Sequence, residues 1–167
     1  MLAKTGIPTP DDLSSKLPSE ERLQQGPVAI VECFTPIPCD PCYHSCPFKA
    51  FQVFQDINDL PVLDFTKCTG CGACIAHCPG LAIFVVDYTY QPDRGLIKIP
   101  YEFLPLPVAG TEVITLNRSG EEIGQGSVVR VQNPLSFDKT AVVWVAVPLT
   151  EVMAVRHIKV GVGPDER

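Results

Sequence analysis

The sequence is short of positive charge. Its 167 residues hold 13 Lys and Arg against 19 Asp and Glu, a formal net charge of −6, and that balance argues against a nucleic-acid surface. No run approaches the roughly 18 consecutive apolar residues of a membrane span. The opening Met1-Leu2-Ala3-Lys4-Thr5-Gly6 has no apolar signal core, and Pro8 and Pro10 follow at once. A soluble, cytoplasmic protein is expected. A serine or cysteine nucleophile setting, a phosphate loop and a nucleotide fingerprint are also missing, so no substrate chemistry is expected of the chain itself. Asn117-Arg118-Ser119 fits a glycosylation sequon, which a cytoplasmic setting discounts.

Proline and cysteine are in excess. Seventeen prolines, about twice the usual frequency, predict short elements and rigid connections. In a reducing compartment the eight cysteines read as metal ligands rather than disulfides. Cys39, Cys42 and Cys46 recur as Cys71, Cys74 and Cys78, each displaced by 32 positions, and both sets end in Cys-Pro. The second run is Cys68-x2-Cys71-x2-Cys74-x3-Cys78-Pro79, the spacing that holds a cubane iron–sulfur cluster. Zinc ribbons share Cys-x2-Cys but do not call for a duplicated Cys-x3-Cys-Pro. The Cys-x3-Cys-x2-Cys spacing of radical chemistry is absent.

Over residues 33–79 the pattern resembles bacterial two-cluster [4Fe–4S] ferredoxins, in which the fourth cysteine of each run binds the other cluster. That exchange implies one cluster on Cys46, Cys68, Cys71 and Cys74, and a second on Cys39, Cys42 and Cys78. The repeat puts the missing eighth ligand at Pro36. Cys33, three residues earlier, takes its place through a loop expanded over Thr35-Pro36-Ile37-Pro38. A [3Fe–4S] second cluster is the alternative if Cys33 does not ligate. Gly70, Gly72 and Ala73 let the chain wrap tightly and aim N–H groups at cluster sulfur. His44 and His77, beside the exchanged ligands, either donate to sulfur or sit exposed in loops. His157 is structural or interfacial.

Three segments are expected: 1–26, an N-terminal docking arm; 27–92, a two-cluster ferredoxin domain; 93–167, a β-rich C-terminal domain. In the arm, Thr9 and Ser19 stand where helix caps belong, and Leu13, Leu17 and Leu23 are available to dock. In the middle segment Pro27–Cys33 answers to Pro61–Cys68, and Ala50, Phe51 and Val53 answer to Ala82, Ile83 and Val85. Each half therefore offers a strand, a cysteine loop, a short helix and another strand. Further on, Glu112–Leu116, Ser127–Val131 and Ala141–Val147 are β-branched runs, with Gly95–Ile99 and Val152–Val160 as outer strands. A helix over Glu151–His157 is the alternative. The fold class expected is α+β: a duplicated βαβ ferredoxin-like core with an N-terminal arm and a C-terminal small β-barrel or sheet. Leu81–Val86 and Ala141–Val147 are continuously apolar where a half-exposed strand would alternate. Either the two segments cover each other, or one run, with Trp144, meets another subunit.

A narrower likeness rests on Val31-Glu32-Cys33-Phe34-Thr35-Pro36-Ile37-Pro38-Cys39-Asp40-Pro41-Cys42 and on Cys78-Pro79-Gly80-Leu81-Ala82-Ile83. These stretches are similar to ferredoxin-like subunits that accompany FAD-dependent amino-acid dehydrogenases, such as multi-subunit proline, hydroxyproline and sarcosine oxidoreductases. The resemblance implies an electron-transfer subunit, not itself an enzyme, in a hetero-oligomer. Its two [4Fe–4S] clusters would relay single electrons between a flavin-containing dehydrogenase and another carrier. FAD is expected on the partner subunit, not on this chain. A free-standing two-cluster ferredoxin and a structural iron–sulfur or zinc assembly protein are the alternatives.

Overall fold

The computed structural model describes residues 2–161; Met1 and residues 162–167, the outer ends of the expected arm and β-rich segment, lie outside the described residues. Three short helices open the chain, α1 (Leu2–Thr5), α2 (Pro10–Ser14) and α3 (Glu20–Leu23). Thr9 caps α2 reciprocally. Its hydroxyl accepts the Asp12 N–H at 3.3 Å, and the Asp12 carboxylate accepts the Thr9 N–H at 2.8 Å. Ser19 caps α3 by accepting the Arg22 N–H. Helices of four or five residues do not persist alone. Leu17 and Leu23 pack against the sheet's apolar core and hold the arm down.

The remaining elements are β1 (Val28–Val31), α4 (Pro41–Ser45), α5 (Ala73–His77), β2 (Ile83–Asp87), β3 (Arg94–Tyr101), β4 (Glu112–Leu116), β5 (Glu122–Gln132), β6 (Ala141–Pro148) and β7 (His157–Val160). All seven strands join one sheet in the order β1-β2-β3-β6-β5-β4-β7, with every pairing antiparallel. The expected middle and C-terminal segments therefore meet across a strand pair: β2 lies beside β3, with Val85 opposite Lys98. Residues 151–157 do not form a helix; a 3-10 turn at Leu149–Glu151 leads through further turns into β7.

The second hairpin of the repeat is nearly absent. Around residues 50–53 and 61–68 only Phe51 and Leu63 pair, as an isolated bridge. Val53 and Val62 face solvent, and Asp64 turns the chain by accepting the Thr66 N–H. Among the described residues no further strand adds to that edge, whereas β2 continues into a sheet.

Both faces of this sheet are covered. On one face Val28 and Ile30 of β1, Phe84 and Val86 of β2, Ile97 and Ile99 of β3, and Val143, Val145 and Val147 of β6 share a core with Val113 and Ile158. Their alternating neighbours Ala29, Val31, Ile83, Val85, Val142 and Trp144 pack toward α5 and the cysteine loops. Two-sided burial explains the unbroken apolar runs. Both runs are largely covered within the chain, with Leu81, Ala82 and Trp144 partly exposed.

Bulges at Val128/Arg130 and Thr115/Leu116 increase the local twist, and the sheet curls until its far ends meet. Glu32, just past β1, accepts hydrogen bonds from Arg118 after β4 (2.6 and 2.9 Å) and from Arg156 before β7 (2.8 Å). Burial pushes the Glu32 carboxyl up, but the two guanidiniums outweigh it and hold it below its ordinary value. Burial likewise draws Arg156 down to about 10, against the pull of Glu32. Removing one member would strand a buried charge, at a cost of about 3–5 kcal/mol. No helix among the described residues is long and apolar enough to cross a membrane.

Candidate metal centres

Helices α4 and α5 hold equivalent places in the two cysteine runs and pack against one another. Cys42 and Cys74 lie within them, buried. Cys46 and Cys78 end them with nearly the same backbone, φ −82° and ψ 107° against φ −84° and ψ 108°. Three residues on, Lys49 and Leu81 both take the left-handed conformation, at φ 50° and 49°, which costs a non-glycine residue about 1–2 kcal/mol. That turn brings the Ala50 and Ala82 N–H groups onto the sulfurs of Cys46 and Cys78, at 3.3 and 3.4 Å. The repeat is thus written into the backbone as well as the residue types.

The thiols border two pockets. Cys46, Cys68, Cys71 and Cys74 line one of about 320 Å³, together with Phe48, Phe51 and Gly70. Cys33, Cys39, Cys42 and Cys78 line another of about 390 Å³, with Ile37, Asp59 and Pro79. Each pocket draws three cysteines from one run and one from the other. Cys42 and Cys46 face different pockets from one short helix, four residues or about 6 Å of axial rise apart; Cys74 and Cys78 do the same on α5.

The first pocket is braced from outside the repeat. Gly70 has φ +64°, and a Cβ there would stand 2.5 Å from the Pro27 Cβ. Only glycine fits. The carbonyl of Gly70 accepts the Lys98 ammonium at 2.7 Å. From the arm, Arg22 donates to the carbonyls of Phe65 (2.8 Å), Gly26 (3.1 Å), Pro27 (3.1 Å) and Cys68 (2.7 Å), fixing the entry to the Cys68 loop. The Ala29 N–H points at the Cys68 sulfur, 3.4 Å away. N–H groups aimed at cysteine sulfur include those of Ala29, Ala50 and Ala82, and the backbone of Thr35 and Tyr43 bonds to Cys33 and Cys42.

The donor set suits an iron–sulfur cluster. Burial, reinforced by the neighbouring cysteines, pushes the Cys42 thiol up to about 12 and raises Cys74 beyond that; Cys33 and Cys39 are raised for the same reasons. Thiolates forced together in such a place need cationic metal to neutralise them. Zinc would draw thiolates to about 2.3 Å. Among the described residues no three His, Cys, Asp or Glu side chains converge to hold a lone ion. Four thiols border each pocket, a donor set that suits a multi-atom inorganic group.

His44 pairs with Asp40 at 3.1 Å, and His77 Nδ1 lies 2.8 Å from the Ala73 carbonyl oxygen; neither of these contacts is to sulfur. His157 stacks beside Tyr101 and Phe103, where burial lowers its basicity. Arg22 and Lys98 escaped the sequence reading because their partners lie as many as 46 and 28 residues away. A lysine between Ile97 and Ile99 reads as the outward residue of an alternating strand. Only the two-sided cover of β3 reveals it as a buried charge.

Residues 61–84 match the family described as 4Fe-4S binding domain. Among curated relatives, the ferredoxin-type protein NapF of Haemophilus influenzae is 36 % identical over 61 residues, covering 34 % of this chain and 35 % of that protein. The match thus spans about a third of the relative's length. No solved structure matches. The chain carries a 4Fe–4S binding segment.

Proposed function

We propose that the chain is an electron-transfer subunit holding two [4Fe–4S] clusters, one on Cys46, Cys68, Cys71 and Cys74 and one on Cys33, Cys39, Cys42 and Cys78. The observation that carries this reading is the division of eight thiols into two pockets of four, each borrowing one cysteine from the other run. A bound cluster supplies reversible one-electron chemistry, with a potential set by nearby hydrogen bonds, charge and solvent.

The chain's own part is to hold and insulate. Cys46 and Cys78 tie both pockets to the same pair of helices, so the two centres keep one fixed separation. Buried Phe51 lines the inner side of the first pocket and buried Ile83 that of the second, limiting water there. Rigid surroundings of this kind reduce the reorganisation that accompanies a change of charge.

In this reading the electrons come from an FAD-dependent amino-acid dehydrogenase subunit. Its flavin takes two electrons from the amine, and this chain passes them on one at a time to another carrier. The likeness to a ferredoxin-type protein favours a second reading, a ferredoxin without a dedicated flavoprotein. Native anaerobic purification with flavin analysis separates the two. Co-elution with a larger FAD protein whose amine substrate reduces the iron–sulfur signals supports the subunit. A reversibly reducible chain that elutes alone supports the ferredoxin, and iron that no donor reduces contradicts both.

A further inference from the structure

We propose that Lys98 makes the two centres unequal, raising the potential of the one held by Cys46, Cys68, Cys71 and Cys74 so that it is reduced first. The inference rests on the two-cluster reading above and assigns Lys98 a positioning role for charge, without contact to iron.

Lys98 is the one charged residue on β3 between Arg94 and Tyr101, and only 5 % of it is exposed. Its ammonium is held from two sides. The carbonyl of Gly70, in the wall of the first pocket, accepts from it at 2.7 Å. The face of Trp144 lies 3.9 Å away, and that indole is itself fixed by donating to Gln132 at 2.8 Å. The aliphatic stem runs beside Gly72 in the same cysteine loop. Burial draws the ammonium down, Arg130 adds to that, and Cys71, Asp87 and, more weakly, Cys68 favour its charge; its charge acts in return on Cys71 and Cys68. A buried charge is weakly screened and its field reaches further than a surface charge's.

Among the described residues no lysine is held against the wall of the second pocket; the mostly buried cations Arg118 and Arg156 are paired with Glu32, next to Cys33 in the chain. Asp59 lines it, and Asp40 adds negative charge beside Cys39. Lys16, of the same intermediate burial as Asp40 and less exposed than Asp59, favours the Cys33 thiolate, so the charges around this pocket are of both signs and open to solvent. Reduction adds one electron to a centre with no bond made or broken. A buried, fixed positive charge at the first pocket, against solvent-screened charges of both signs at the second, therefore separates the two uptake steps in a defined order.

The test is a mediated potentiometric titration of the loaded full-length chain with dithionite, followed by EPR. Iron and sulfide are counted first, so that failure to hold two clusters is told apart from failure of this inference. Two one-electron waves are expected. Cys71→Ser and Cys39→Ser, in chains that keep Lys98, assign them: the upper wave must be the one Cys71→Ser moves. Lys98→Gln retains a donor for Gly70 and removes the charge. It should make the upper centre about tenfold harder to reduce, about 59 mV for one electron, and leave the lower wave in place. Lys98→Arg should stay near the parent value. Coincident waves in the parent chain, an upper wave belonging to Cys39, or equal shifts in both waves with Lys98→Gln would overturn the proposal. An equal shift with Lys98→Arg, which points to packing instead of charge, would do so too.

Discussion

The second cysteine run places three of its thiols within seven residues, Cys68 to Cys74, whereas the first run takes ten, Cys33 to Cys42. The tight version depends on Gly70 and Gly72 at positive φ and on Arg22 and Lys98 holding carbonyls in and around the loop. The loose version has prolines at 36, 38 and 41 instead, which fix φ, and an outside bond from the Cys39 N–H to the Ile57 carbonyl at 3.1 Å. At their far ends the two runs converge. Cys46 and Cys78, Lys49 and Leu81, and Ala50 and Ala82 repeat the same backbone and the same N–H to sulfur bond. Geometry is conserved within the molecule where a thiol crosses to the other pocket, and relaxed where the chain merely arrives.

The heaviest blow to this comparison falls on a buried thiol. Cys74→Ser should empty the first pocket and cut iron by about half while leaving the second centre's spectrum intact. Loss of both signals would show that the pockets do not load independently. Next comes the clasp that closes the sheet beside Cys33. Glu32→Gln leaves Arg118 and Arg156 facing each other and should lower stability by about 3–5 kcal/mol in urea unfolding; a change below about 1 kcal/mol would mean the clasp is solvated.

A glycine pair sharpens the contrast between braced and unbraced turns. Gly70→Ala meets both a positive φ and the Pro27 backbone, and should cost about 2–3 kcal/mol. Gly120→Ala, at φ +78° with nothing within 4 Å, should cost about 1 kcal/mol. Cys33→Ser probes the loose entrance. If Cys33 is a ligand, iron falls from about eight to about seven per chain and a three-iron signal rises; unchanged iron and spectrum would remove Cys33 from the site.

The smallest effect is a pH slope. Burial lowers the basicity of folded His157, so the unfolded chain binds that proton more readily. Stability should fall as pH drops below about 6.5, the ordinary imidazole value, and His157→Gln should flatten the slope between pH 7.5 and 5.5. An identical slope in both proteins would place the titrating group elsewhere.

Much of the local architecture was legible in the sequence because its causes are local. Thr9 and Ser19 cap the helices they precede, and Glu112–Leu116 is a strand. What was hidden depends on distance. Residues 93 onward read as a separate β unit because nothing local shows that Val85 pairs with Lys98. The strand reading at 50–53 and 61–68 followed the repeat, but the repeat could not show that this edge lacks a neighbouring strand. The clasp joins residues 86 and 124 positions apart, and no periodicity links Glu32 to Arg118 or Arg156.

The central claim is that eight thiols hold two four-iron centres. Its most direct test is iron and acid-labile sulfide, counted per chain on anaerobically purified protein alongside zinc. About eight of each per chain, with negligible zinc, is the result this account predicts. About four of each, or zinc in place of iron, contradicts it.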